Sequence, residues 1–148
     1  MPLTYDDVWT TFLDNYKADD IDIPQDEELI YRHIRNAVLL FNNRMRTDAV
    51  CDDDDEIIEG VSTNDEMLII AQYIRLTLLR HTRDFYEKLL QGFEGDVGFK
   101  NFAAQLVSVR ESIKEQERLI NEFIFNTREN FLWILRLKMN SLMLAMKI

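Results

Sequence analysis

The chain has 148 residues, the size of one ordinary domain, with 27 acidic and 17 basic residues and a formal net charge of −10. At 47 % hydrophobic residues with four Gly, two Pro and one Cys, it is too apolar for a disordered chain, too poor in Gly and Pro for a fibrous one, and too poor in Cys for a disulfide scaffold. The charge also argues against a protein that grips nucleic acid by neutralising phosphates, and it is uneven: residues 1–66 hold 18 acids and 5 bases, residues 67–148 hold 9 acids and 12 bases.

The N-terminus, Met1-Pro2-Leu3-Thr4-Tyr5, has neither the basic nor the apolar run of a signal peptide. Over 4–16, Tyr5, Val8, Trp9, Phe12, Leu13 and Tyr16 form one helical stripe, and Thr4 with Asp7 makes a capping pair. Residues 18–23 are an acidic connection. A second amphipathic helix is predicted over 24–45, with Pro24 in its first turn, Asp26, Glu27 and Glu28 at its positive end, and Leu29, Ile30, His33, Ile34, Ala37, Val38 and Phe41 on its buried stripe. His33 reads as a hydrogen-bonded histidine at the edge of the core rather than a ligand.

Residues 47–60 have a different texture. The run Cys51-Asp52-Asp53-Asp54-Asp55-Glu56 lacks the glycine and the closing glutamate of a calcium-binding loop, so it reads as a solvated connection between helices. The aspartates beside Cys51 discourage its thiolate, and one unpaired cysteine suits a reducing, cytoplasmic site of synthesis. A capping box at Thr63 and Glu66 then opens a helix that is apolar nearly all round, from Met67 to Leu79, which marks the central helix of the domain. Gly92 suits its stop. In the loop that follows, Phe93, Phe99 and Phe102 are expected to anchor the chain to the bundle.

A fourth helix is predicted over 101–126, with Leu106, Val109, Ile113, Ile120, Phe123 and Ile124 at helical spacing and charges paired three and four residues apart. Neither Gly nor Pro interrupts 100–148, so the chain can stay helical to near its end, with 126–130 as the place for any break. The tail, 131–148, holds too much apolar surface to leave in water, yet Arg136 and Lys138 make it a poor membrane span. It suits either the last helix of the chain's own core or an adaptable surface for another subunit, and the second reading is preferred because four preceding helices can already close a bundle.

The fold class expected is all-α, a four- to five-helix bundle with a long apolar C-terminal helix or extension: residues 1–127 form the bundle and 128–148 a docking segment. The metal, nucleotide and nucleophile motifs that would announce an enzyme are missing from the sequence, which favours a binding or structural role. His33 and His81 lack the Glu-x-x-His spacing of di-metal bundles.

The order of a helix over 28–41, an acidic connection, a capped helix at Thr63-x-x-Glu66-x-Leu68-x-x-Ala71, a Gly/Asp loop, and Phe99-Lys100-x-x-x-Ala104-Gln105-Leu106 opening a charged helix resembles the head–tail connector (adaptor) proteins of long-tailed bacteriophages. The resemblance covers residues 5 to 127. It implies a virion neck protein, made in the host cytoplasm, that catalyses nothing and uses no cofactor. It implies a ring of the chain itself, commonly of twelve copies, beneath the portal protein. Such a ring extends the channel for DNA as passing cargo and carries a stopper or other tail-completion protein, with no membrane involved.

In similar proteins the C-terminal segment grips the portal. That role falls here to Arg128, Phe131, Trp133, Leu135, Leu137 and Leu142, with Trp133 as the first anchor. A lumen-facing turn of Asp52, Asp53, Asp54, Asp55 and Glu56 would give the ring a negative collar that repels phosphates and keeps DNA sliding. The competing expectations are a small acidic helical regulatory protein that binds a host or phage protein, and a helical enzyme or metal protein.

Overall fold

The computed structural model describes residues 1–19, 21–92 and 98–147; inside its last helix the side chains of residues 98–99, 128–132 and 134 lie outside that description. In chain order the elements are β1 (Leu3–Thr4), α1 (Tyr5–Asn15), α2 (Glu27–Met45), β2 (Val50–Asp52), β3 (Ile57–Glu59), α3 (Asn64–Gly92) and α4 (Gly98–Met146). The protein is mainly helical, as its periodicity predicts.

The capping pair at the start of α1 is present in full: Thr4 Oγ1 accepts from the Asp7 amide at 3.0 Å and the Asp7 carboxylate accepts from the Thr4 amide at 3.0 Å. That fixes the entry of a helix of only three turns, which could not persist alone and is held by burying Tyr5, Val8 and Phe12. Helix α2 starts at Glu27 behind an Asp26 cap, so Pro24 precedes the helix instead of opening it. It ends at Arg46, whose left-handed backbone (φ 57°) is held from one side by Asn42. The Asn42 side-chain oxygen accepts from Thr47 Oγ1 and the Ala49 amide, both at 2.9 Å, and its nitrogen donates to the Ala49 carbonyl at 2.8 Å.

The predicted solvated connection at 47–60 is a β-hairpin. Strands β2 and β3 pair antiparallel with Cys51 opposite Ile58, and β1 joins the other edge with Leu3 opposite Ile58, giving the order β1-β3-β2. Ile58 is fully buried and nails this small sheet to the helices. A Cβ at Gly60 would sit 3.4 Å from the Ala49 Cα at a φ of +91°. Gly60→Ala is therefore expected to cost about 1–2 kcal/mol, read as a lower midpoint in urea unfolding with an unchanged slope.

Helix α3 is the axis of the fold. Every residue from Ile69 to Leu79 is buried, because α1, α2 and α4 cover it from different sides. Thr63 and Glu66 bond reciprocally at its start: Thr63 Oγ1 accepts from the Glu66 amide at 3.1 Å, and the Glu66 carboxylate accepts from the Thr63 amide at 3.1 Å. Buried Arg75 donates to Gln116 Oε1 at 3.0 Å and to the Lys17 carbonyl at 2.6 Å, tying the connection after α1 to α4. Helix α4 runs antiparallel along α3 through Leu106, Val109, Ile113, Ile120 and Ile124 and continues with no break at 126–130. Phe102 packs on Tyr86 with ring centroids 6.2 Å apart; Phe93 and the Phe99 side chain fall outside the described residues.

His33 lies between α2 and α3, where its Nδ1 is 3.1 Å from Thr77 Oγ1 and its ring meets His81 edge-on at 5.5 Å. The Thr77 hydroxyl already donates to the Ile74 carbonyl at 2.8 Å, so His33 Nδ1 must donate and the proton of the neutral ring sits there. Burial first, then the nearby His81 and Arg32, push its pKa down to about 4. The unfolded chain then binds a proton that the folded chain refuses between about pH 6.5 and 4, so stability present above pH 6.5 is lost as pH falls through that window. The expected loss is on the order of 2–3 kcal/mol, checked by urea unfolding across that range, and His33→Gln should flatten the profile.

Candidate docking surface

The core closes with α3 surrounded and with Ile124 as the last fully buried side chain among the described residues. Beyond it α4 continues for about another six turns, or roughly 30 Å. Every described side chain from residue 133 to 147 is exposed. Eight are large and apolar: Trp133, Leu135, Leu137, Met139, Leu142, Met143, Leu144 and Met146. Trp133 is 63 % exposed and Leu142 64 %, values that surface residues of an isolated domain reach singly but not in a continuous run. The chain itself therefore leaves the described side chains of this segment uncovered.

The helix sorts seven of these side chains into two rows, with Met143 between them on the edge of Arg136. Leu135, Met139, Leu142 and Met146 are spaced four, three and four residues apart and share one face. Trp133, Leu137 and Leu144, spaced four and seven apart, share a face about half a turn away. Arg136, Asn140 and Lys147 run between the rows on one edge, and Lys138 with Ser141 marks the other. An amphipathic helix that lies on a flat surface carries one apolar stripe. A helix with two opposed stripes and cationic edges suits a cleft with two apolar walls and an acidic mouth. Of the predicted docking residues, Trp133, Leu135, Leu137 and Leu142 are exposed on this segment, split between the two rows; the side chains of Arg128 and Phe131 fall outside the described residues. The predicted docking set omits Leu144 and Met146, though both continue the rows.

The predicted acidic run occupies the turn between β2 and β3, where Asp53 to Glu56 are exposed. Most of its carboxylates have structural work. Asp52 accepts from the amides of Asp54 and Asp55 at 3.0 and 3.2 Å, bracing the turn. Asp53 pairs with Arg35 and accepts from the Tyr5 hydroxyl, and Glu56 accepts from the Tyr31 hydroxyl. Glu56 adopts a φ of 55°, which these bonds stabilise. Asp54 and Asp55 are left at the tip. Cys51, half-buried beneath the turn, has its thiol pKa raised by burial first and by Asp53 after, while Tyr5 and Arg35 oppose the shift. Among the described residues no group of three or more His, Cys, Asp or Glu is placed to hold a metal ion, and no helix is long and apolar enough to cross a membrane.

No solved structure matches the chain. A curated relative, the SPbeta prophage-derived uncharacterized protein YomZ of Bacillus subtilis (strain 168), is 40 % identical over 129 residues, which is 87 % of this chain and 98 % of the relative. The family model for the YomZ prophage protein matches residues 1–129, which takes in the whole helical core and stops short of the two apolar rows. The chain therefore belongs to the YomZ prophage protein family and is of phage origin.

Proposed function

We propose that this protein is a structural component of a phage neck: several copies form a ring under the portal, extend the DNA channel, and link the capsid to the tail. The observation that carries the reading is the projecting end of α4, an unbroken helix with apolar rows on two opposite faces and only cationic charge between residues 131 and 148. A ring of identical partner subunits presents one cleft between each neighbouring pair, and such a cleft has two walls. One tail per cleft would bury both rows at once. The phage origin of the family and the resemblance to head–tail connectors support the same assignment.

The experiment is to mix the full chain with portal rings of the same phage and follow the mixture by size-exclusion chromatography and negative-stain imaging. The expected result is a co-eluting complex with an added ring of density at the portal's tail-facing end. No complex, together with particles that assemble a complete neck when this chain is deleted, would overturn the reading in favour of a small acidic regulator of another protein.

A further inference from the structure

The bases of the acidic first half of the chain are concentrated on one element. Four of the five in residues 1–66 are Arg32, Arg35, Arg44 and Arg46, on α2 or at its end. Arg35 faces the hairpin and pairs with Asp53. The other three lie on another flank. Arg44 and Arg46, with Arg80 of α3, line a cavity of about 580 Å³ between the end of α2, α3 and α4, with Tyr73 in its wall. A second cavity of about 350 Å³, lined by Arg32, adjoins it at Leu40 and Arg80. The two carboxylates lining this groove are engaged: Glu117 pairs with Arg80 at 3.2 Å and Asp84 with Arg83 at 3.1 Å. Among the described residues Arg32, Arg44 and Arg46 form no ion pair, so a protein of net charge −10 carries a groove with three uncommitted guanidinium groups.

We propose that this groove receives the β2–β3 turn of a second copy of the chain. The inference deepens the ring reading above by naming the contact between neighbouring subunits. Three features argue for a second copy. The turn is the most acidic run of the chain and Asp53 to Glu56 are exposed, so its charge complements the groove. It is braced by Asp52, Tyr31, Arg35 and Tyr5, so it is presented in one shape and little order must be imposed on binding. Finally, the turn packs on the Tyr31–Arg35 flank of α2 while the groove opens on the flank of Arg32 and Arg44, so a chain cannot fill its own groove. Two different, complementary patches on one subunit make a heterologous contact, the kind that closes into rings. Guanidinium groups meeting carboxylates at such a contact set register and speed assembly, and screening by salt weakens them. The turn would then sit at a subunit junction and not face the lumen.

Sedimentation velocity at low and high salt reads this directly. The native chain is expected to self-associate with rising concentration at low salt and to dissociate at high salt. Arg44→Glu with Arg46→Glu should weaken association at least tenfold, and so should Asp54→Arg with Asp55→Arg; these four side chains are exposed and outside the bonds that brace the hairpin, and circular dichroism checks that both variants fold. Each variant alone has the tip of the turn and the rim of the groove of like sign. An equimolar mixture of the two has opposite signs at every junction and should recover association. Native-like association of either variant, failure of the mixture to recover, or a native chain that stays monomeric at low salt would overturn the inference. Portal binding is read in the separate experiment above, so a chain that binds the portal without self-associating leaves docking intact and sinks only this contact. If the Asp54/Asp55 variant associates normally but slows DNA passage, the turn faces the channel and the inference fails.

Discussion

Cutting the chain after Thr127 should leave a protein that melts within a few degrees of the full chain and no longer binds the portal. The cut keeps Ile124 and, among the described residues, every fully buried side chain, so that part of the core loses none of the area that stabilises it. What it removes is eight exposed large apolar side chains. Full burial of one such side chain contributes about 1.5–3 kcal/mol, so their gross contribution to docking is on the order of 10–20 kcal/mol before the cost of association is subtracted. Portal binding should therefore fall below detection, while differential scanning calorimetry barely changes. Single substitutions then separate a cleft from a flat surface. Trp133→Ala should weaken binding by about 2 kcal/mol or more, roughly thirtyfold, because a buried Trp is the usual anchor of an interface. Leu142→Ala on the opposite row should also weaken it. Loss on only one row would mean that the tail lies against a single wall.

Phe12→Ala is expected to be the most damaging single change in the core. Phe12 is fully buried where α1 meets α3, and α1 is too short to stay helical without that contact. The substitution removes most of an aromatic ring and leaves a cavity, at a cost of about 3–5 kcal/mol against a total stability of about 5–15 kcal/mol for a domain. Chemical unfolding should show a large drop in midpoint. Leu13→Ala, one residue on and 44 % exposed, should change stability by less than about 0.5 kcal/mol. Equal losses at the two positions would contradict the packing of α1 described above.

Both contrasts rest on features that the sequence exposes to different degrees. The helices are legible because their stripes recur over many turns: Leu29 to Phe41 and Met67 to Leu79 repeat the helical period long enough to fix face and length. The hairpin is hidden by its size. Strands of three residues show too little alternation to be told from a loop, and the aspartate run draws attention to charge. Its signal was Ile57-Ile58 between a turn and Gly60, since a β-branched pair in that setting needs a sheet face to pack against. The excess of apolar residues in the tail is legible from composition alone, but its two opposed rows follow only once α4 is known to run unbroken to Met146. The arginine groove is invisible in one dimension, because Arg44 and Arg80 belong to separate helices. The same holds for His33 and His81, 48 positions apart, whose rings meet only after α2 docks on α3.

The unbroken course of α4 also explains how so apolar a segment can wait in water with a defined shape. A lone helix of about 20 residues is marginal because its first turn is costly to form. Here that turn is formed far upstream, against α3, and the outer segment only propagates it. The folded body is thus a template that starts the outer helix. A peptide of the last 21 residues alone would carry the same apolar rows and lack the seed.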